Sequence, residues 1–409
     1  MGRLSSAADA IRSYLFGAGG GNAWPSVTAT DYIPIRRQES SGAGVRVDPD
    51  SALRHSAVFA CLRLRANLVA STPLDVFRRV GGVQVEVEKP PLLVNPGGAV
   101  PAYTAGAVNT LIGEWLWSSQ FDLDRYGNAF GVITARDGYG YPSVVELAPT
   151  GDVRVVGRGQ AVSDVFIGGT KYKPRDIWHE RQYTVPGSPM GLSPIMYAAW
   201  SISGYLSAQR FSLDYFGTGG IPSGVLRNTV MDEMDAKVIS EAKSRFKTAV
   251  EGRDVFVTGR DWEWTAVQAT GAASVFLDEM KYGVGDVARF LDVPGDMIDA
   301  ESASGSITYA NISQRNLQLL LTSMGPAFKR REDTFSSAIK SDRYAKFNTD
   351  ALLRMDPETR SRVVNGQVLA RVLAPSEARE LENRPPFTPE QIAEFDLLAV
   401  PVAAAKKGA

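Results

Sequence analysis

The chain has 409 residues, 44% of them hydrophobic and 22% charged, and its 44 Lys and Arg against 45 Asp and Glu leave a net charge of −1. That length supports two or three core-bearing units, and the even charge lacks the basic excess with which a repressor or nuclease grips a duplex. One cysteine, Cys61, excludes an intrachain disulfide and a cysteine-rich zinc site. No apolar run of about 18 residues offers a membrane span, so a soluble protein made in a reducing cytoplasm is expected.

Residues 1–50 read as a short amphipathic helix, from about Ser6 to Phe16, followed by an arm of Gly and Pro without periodicity. A helix is expected from Asp50 or Ser51 to about Ser71, stopped by Pro73. Leu74 to Val80 and Val83 to Val87 flank Gly81-Gly82 as a hairpin, and the second arm alternates as a half-buried strand does. Thr104 to about Arg125 reads as a helix rich in large apolar groups: Leu111, Ile112, Trp115 and Leu116. The period then falls to two. Short strands are expected at Ala129 to Thr134, Val144 to Leu147, Val153 to Val156, Val162 to Ile167 and Ile177 to Glu180, with turns at Asp137-Gly138 and Gly168-Gly169. Residues 51–192 thus read as an α+β unit.

Ser193 reads as the N-cap, and Pro194 as the first residue, of a long helix over 193–218, with Ile195, Ala199, Ile202, Leu206, Leu213 and Phe216 at helical spacing. Gly217, Gly219, Gly220 and Pro222 end it. An insert follows at 219–270: a strand from Ser223 to Leu226, a helix from Met231 to Val250, and a hairpin of Val255 to Thr258 with Trp262 to Val267. Met234, Val238, Ala242 and Phe246 give the insert's helix an apolar face, with Lys237, Glu241 and Arg245 elsewhere. A second long helix, within 271–296, has a core stripe of Phe276, Met280, Val284, Val287 and Leu291 and is stopped by Pro294. The loop 297–307 carries Glu301, Ser302, Ala303, Ser304, Gly305 and Ser306, all polar or small. A third long helix over 308–343 places Leu317, Leu321, Met324, Phe328, Phe335 and Ile339 on one face and should kink at Gly325-Pro326. Residues 344–356 read as extended. Short helices are expected from Pro357 to Leu373, divided at Asn365-Gly366, and from Pro375 to Asn383, with a frayed tail after Pro385.

No catalytic constellation emerges, and no metal or cofactor site. His55 and His179 lie outside any metal-ligand spacing and read as structural. Gly168-Gly169-Thr170-Lys171 has the wrong order for a phosphate-cradling loop, and no Gly-x-Ser-x-Gly elbow is present. Asp122-x-Asp124 is an isolated pair of a kind common by chance, and Glu279 and Asp286 stand two helical turns, ~10 Å, apart. Asp278, Lys281, Gly285 and Arg289 share one stripe of the second long helix, away from its core side; taken alone this is a solvated face with local charge pairs. Trp262 and Trp264 share one strand face, which suits sheet packing or a docking patch.

Several stretches together carry a family resemblance. They are H-S-A-V-F-A-C-L-R-L-R-A-N-L-V-A-S-T-P-L (55–74), Y-G-N-A-F (126–130), G-S-P-M-G-L-S-P-I (187–195), F-L-D-E-M-K-Y-G-V-G-D-V-A-R-F-L-D-V-P (276–294), L-L-R-M-D-P-E-T-R (352–360) and P-S-E-A-R-E-L-E-N-R-P-P (375–386). In this order the chain resembles the portal, or head-to-tail connector, proteins of tailed bacteriophages. It departs at 297–306, M-I-D-A-E-S-A-S-G-S, where relatives more often carry a glycine-containing turn and shorter spacing.

The resemblance implies an α+β portal fold: an N-terminal arm (1–50), a wing (51–192), stem helices at 193–218 and 271–296, and a clip (219–270). A tunnel loop (297–307), the long kinked helix, an extended return to the wing (344–356) and a crown with C-terminal tail (357–409) complete it. It implies a homo-oligomeric ring, typically of twelve, at one capsid vertex of a virion. Such a ring nucleates assembly with the major capsid or scaffold protein, seats the large terminase, later holds a head-tail adaptor, and passes double-stranded DNA without reading it. The protein would be no enzyme and would need neither cofactor nor membrane. Asp278, Lys281, Gly285 and Arg289 would then face the channel, Glu301 to Ser306 would narrow it, and Lys237, Glu241, Arg245, Trp262 and Trp264 would serve docking. The alternatives are another phage head-tail protein, such as an adaptor or minor capsid protein, or a metal- or serine-dependent hydrolase using Asp122, Asp124 or Ser304.

Overall fold

The structure, a computed structural model, describes residues 32–33, 39–40, 45–98, 111–158, 161–217, 224–229, 235–252, 262–266, 272–298, 315, 317–349, 357–382 and 384–398. The chain divides into a larger unit, Met1–Phe347, and a smaller one, Asn348–Ala409.

The larger unit begins with the short strands β1 (Tyr32–Ile33), β2 (Glu39–Ser40) and β3 (Arg46–Val47). The N-terminal helix expected near 6–16 lies outside the described residues. The helix expected from 50 to 71 is two pieces: a 3-10 turn at Ser51–Arg54, then α1 at Ser56–Ser71. His55 between them is extended, and its Nδ1 accepts the Ala57 amide at 3.2 Å, so it caps α1. Histidine is not among the usual cap residues, which hid the break. α1 buries Ala57, Val58, Cys61, Leu62, Arg65, Ala66 and Val69 along one side.

β4 (Leu74–Val80) and β5 (Val83–Glu86) turn through Gly81 and Gly82, whose φ of 59° and 86° match the two left-handed positions of a tight hairpin. β5 is exposed along its whole length, not half-buried, because alternation marks which face is apolar and not whether anything covers it. α2 runs over Ile112–Tyr126, with Leu111 extended before it, so the helix does not include Leu111; the expected start at Thr104 lies outside the described residues. Gly127, at φ 71°, ends α2, its N–H returning to Leu123 O at 2.8 Å.

Each expected strand of this region is present, somewhat longer than read: β6 (Asn128–Arg136), β7 (Pro142–Ala148), β8 (Val153–Arg158), β9 (Ala161–Ile167) and, after β10 (Thr170–Tyr172), β11 (Ile177–Arg181). β10 was not foreseen; it is the return arm of the Gly168-Gly169 hairpin. The antiparallel orders are β11-β6-β7 and β1-β8-β9-β10. Tyr126, Phe130, Ala148, Val153, Val155, Val165 and Met190 form the core between them.

Ser193 caps a helical turn, Pro194–Tyr197, its Oγ accepting the Met196 amide at 3.3 Å. A break at Ala198 separates this turn from α3, Ala199–Gly217, so the expected single helix is interrupted once. Ile195, Ala199 and Ile202 are buried as read, but Leu213 is exposed. β12 (Gly224–Asn228), α4 (Ala236–Glu251) and β13 (Trp262–Ala266) make up the described part of the insert. β13 pairs with β12; the arm expected at 255–258 and the helix start at Met231 lie outside the described residues. Val238, foreseen on an apolar face of α4, is exposed.

α5 spans Ala272–Phe290 and does not reach 296: Asp292 turns at φ 54° and a 3-10 turn follows at Gly295–Ile298. Val287, Leu291 and Val293 join α1 and α3 in the main core, with Val58, Leu62, Ile195 and Ile202. Residues 299–314 lie outside the described residues. A π-helical turn, Leu319–Met324, leads into α6, Gly325–Ser337. Pro326 follows directly on the widened turn inside a helical run that is continuous from residue 317, so the wider turn stands where its missing N–H was expected to kink the helix. The extra residue in that turn rotates everything upstream, so Leu317 and Leu321 are exposed while Met324, Phe328, Phe335 and Ile339 are buried. α6 also ends before 343, and β14 (Arg343–Phe347) completes the sheet β14-β4-β5.

In the smaller unit α7 (Pro357–Leu369) runs through Asn365-Gly366 without dividing; the turn comes later, with Arg371 at φ 56°. α8 is Pro375–Leu381. The frayed tail is corrected to a helix, α9, at Pro389–Leu398. Thr388 and Gln391 exchange side-chain bonds to each other's amides at 3.4 and 3.2 Å, a capping box.

Candidate functional site

The turn from the sheets into the α3–α5 helix pair is made by two glycines pressed together. A Cβ on Gly127 would lie 2.1 Å from Leu192 O, and one on Gly191 2.1 Å from Gly127 O and 2.3 Å from Gln182 O. Only hydrogen fits in either place. Asn128 locks the contact: its Nδ2 donates to Tyr126 O at 2.9 Å and Gly191 O at 3.1 Å, and its Oδ1 accepts the Gly191 amide at 2.9 Å. Ser193 Oγ donates to Arg125 O at 2.5 Å while capping the next turn. The sequence stretches Y-G-N-A-F and G-L-S-P-I are therefore two halves of one joint.

His179 belongs to this joint. Its ring stacks on Phe130 at 4.1 Å and its Nε2 lies 3.0 Å from Asn128 Oδ1. Burial, with help from Arg181, pushes its pKa down to about 3, so the ring is neutral. His55 is fully buried, stacks on Tyr205, and burial pushes its pKa down to about 4.

Behind the joint runs a buried charge network. Arg65 Nε lies 3.1 Å from Asp124 Oδ2, and Arg331 Nε 3.2 Å from Glu180 Oε2, with every side chain at most 3% exposed. Gln120 and Gln182 donate to Asp124 at 2.9 and 3.2 Å, and Arg331 donates to Ser119 Oγ at 2.6 Å. Arg65 also donates to Ser323 Oγ at 2.9 Å, and Ser323 donates to the Asp292 carbonyl. The network thus ties α1, α2, β11 and α6 to the π turn and to the end of α5. Sequence reading missed it, although a signal was there: Arg65 sits in register with Val58, Leu62 and Val69, and Arg331 with Phe328 and Phe335. A charge inside an apolar stripe needs a buried partner.

The same network disposes of Asp122-x-Asp124 as a paired site. Asp124 serves Arg65, while Asp122 faces Arg125 at 3.6 Å. Among the described residues no three His, Cys, Asp or Glu side chains are grouped to hold a metal. Cys61 is buried, and burial pushes its thiol up to about 12.

On α5, Lys281 and Arg289 are exposed and Gly285 is half-buried; the side chain of Asp278 lies outside what the structure describes. Arg289 is 3.7 Å from Asp286 and sits over the Tyr282 ring at 6.0 Å. Asp286 also accepts from Ser201 Oγ of α3, joining the two helices. The loop Glu301 to Ser306 lies outside the described residues, but its flanks are tied: Arg315 and Asp296 form an ion pair at 2.6 Å. On α4, Lys237, Glu241 and Arg245 are exposed and share one face at four-residue spacing. Trp262 is half-buried opposite Asn228 in the β12–β13 pair; Trp264 stands opposite Leu226, its side chain outside the description.

A family model described as "Phage portal protein" matches residues 56–383. The probable portal protein of Streptomyces phage phiC31 is 25% identical over 410 residues, covering 92% of this chain and 85% of its own. Among solved structures, an HK97-family phage portal protein from Corynebacterium diphtheriae matches at a TM-score of 0.58 and 19% identity, over 75% of this chain and 97% of the other. A chain from the neck of a native gene transfer agent particle, computed with C12 symmetry, matches at 0.50 and 20% identity, over 83% and 94%.

Proposed function

Because the chain belongs to the phage portal protein family, we propose that it forms the ring-shaped DNA channel at one vertex of a capsid. The observation that carries this is the extent of the match: residues 56–383 take in the strands from β4 to β14, the glycine joint, the helix pair and the insert, and the α+β fold is that of solved portal proteins. The twelve-fold neck of the gene transfer agent supports a ring of twelve. In this reading residues 51–192 are the wing, α3 and α5 the stem, the insert the clip, 297–307 the tunnel loop, 344–356 the return to the wing and 357–409 the crown with the C-terminal tail.

The chemistry suits a conduit. A net charge of −1 keeps the ring from gripping a polyanion that must slide. Lys281 and Arg289, repeated around the ring, would supply bands of positive charge toward phosphates, which position DNA without reading it. The small or polar side chains of Glu301 to Ser306 would narrow the channel without catching bases, and Arg315–Asp296 would hold the base of that loop. Exposed Lys237, Glu241 and Arg245, with Trp262 and Trp264, would face the large terminase during packaging and the head-tail adaptor afterwards. Energy comes from the terminase in this reading; the ring does no chemistry of its own. It sits in the virion, beside the major capsid or scaffold protein.

Light scattering with electron microscopy of the purified chain tests this. A holed ring near 530 kDa, about twelve times 44.2 kDa, is expected. A chain that stays monomeric even with its capsid and scaffold partners removes the reading.

A further inference from the structure

The turn that leads into α6 has a second way to seat the residues before it. Arg315, Leu319 and Ser323 are spaced by four and share one face. Each is tied down. Arg315 pairs with Asp296 at 2.6 Å, Leu319 is 4% exposed, and Ser323 accepts from Arg65 at 2.9 Å while donating to the Asp292 carbonyl. Leu319 precedes the fully buried Met324 by five residues, a spacing that faces one way in a π turn but not in an α-helix. Counted back from Met324 at α spacing, the core would instead receive Leu320 or Leu321 and, a turn earlier, Leu317. Leu317 is 43% and Leu321 67% exposed.

The sequence serves both spacings. Leu319-Leu320-Leu321 delivers a leucine to the core in either one. Pro326 can also be met in two ways. In a plain α-helix it lacks the N–H for the Thr322 carbonyl, and its ring presses on that carbonyl and kinks the helix. Here the π turn widens the helix instead. The observed arrangement keeps the Ser323 bonds and the Arg315–Asp296 pair, and the other buries Leu317 with Leu321. These contributions are of the same order.

We propose that residues 317–324 form a two-position switch: the π register seen here, and an α register kinked at Pro326, with Ser323 the latch on the first. Passing between them shifts the segment by one residue, a rotation of about 100° and a slide of about 1.5 Å. The shift carries Arg315 off Asp296 and frees Ser323 from Arg65, so the buried charge network and the register of this helix are coupled. Whatever neutralises Asp296 or releases Ser323 biases the switch toward the α register. The switch belongs to the single chain and does not depend on the portal reading.

Maleimide labelling of the full, unassembled chain tests this with two reporters, Leu319→Cys and Leu321→Cys; the native Cys61 is fully buried and contributes little background. Adding Ser323→Ala should speed labelling at position 319 by at least about tenfold, because the thiol is reached only when the latch opens. Adding Ser323→Ala with Pro326→Ala should slow labelling at position 321 by at least about fivefold, as the α register takes that residue into the core. If position 319 speeds up while 321 keeps its rate, the segment merely frays and the switch is overturned. An unchanged rate at 319 overturns it as well, since one register is then all there is. Should the proline variant lose its circular dichroism, Arg315→Gln with Ser323→Ala takes its place, with the same slowing at 321 expected. None of these results touches the portal reading, which the mass of the particle decides.

Discussion

Arg65 and Asp124 show how much of this fold rests on charges placed where water does not reach. Each side chain is 2% exposed, and removing one strands the other in a low dielectric. Asp124→Asn is expected to cost about 3–5 kcal/mol in urea unfolding. Arg65→Met combined with Asp124→Asn should cost less than the two single changes added together, which a double-mutant cycle measures. His55 is a buried group of the opposite kind, held neutral. Its pKa, about 4 in the fold against 6.5 when unfolded, means its stabilisation is complete above pH 6.5 and is lost as pH falls toward 4. Melting temperatures from pH 7 to 4.5 should therefore decline. His55→Asn, which keeps a capping side chain, should flatten part of that decline by removing up to ~1.4 kcal/mol per pH unit of slope.

Between elements, the joint of Gly127 and Gly191 sets how the chain leaves the sheets for the helix pair. Backbone stands where a Cβ at Gly191 would go, so no rotamer change makes room. Gly191→Ala is expected to cost about 3 kcal/mol or more. Gly366→Ala, inside α7 with nothing within 4 Å of the added carbon, should instead stabilise by about 0.5–1 kcal/mol. Thermal unfolding of the two variants checks the contrast. The π turn at Leu319–Met324 is the other element-scale device: it turns Ser323 toward Arg65 and the Asp292 carbonyl, binding the long helix to the end of α5.

For the whole molecule, the proposed channel makes charge a matter of transport more than of stability. Lys281→Glu with Arg289→Glu reverses exposed charges on α5. The ring mass should stay unchanged, while DNA packaged per particle should fall by roughly tenfold or more. Unchanged packaging would detach these residues from the channel. Near-neutral overall charge was legible at once and pointed away from tight duplex binding. What a ring does with it depends on which faces turn inward.

Local pattern was enough for the helix pair in outline, all strands of residues 128–181 but β10, the Gly81-Gly82 hairpin, the Ser193 cap and the family. Each depends on periodicity, turn chemistry or the order of short stretches, all written over a few neighbouring residues. Tertiary structure decided what depends on distant partners. His55 ends one turn and caps the next because its imidazole reaches Ala57 inside a packed core. Arg65 and Arg331 are buried because Asp124 and Glu180 stand opposite them across the fold. Leu317 and Leu321 lost the core because one widened turn shifted their phase, and β5 stayed open because nothing in the described chain covers it. Gly127 and Gly191, far apart in sequence, meet at a distance that admits only hydrogen. Spacing along a chain tells which residues share a face; only packing tells what that face meets.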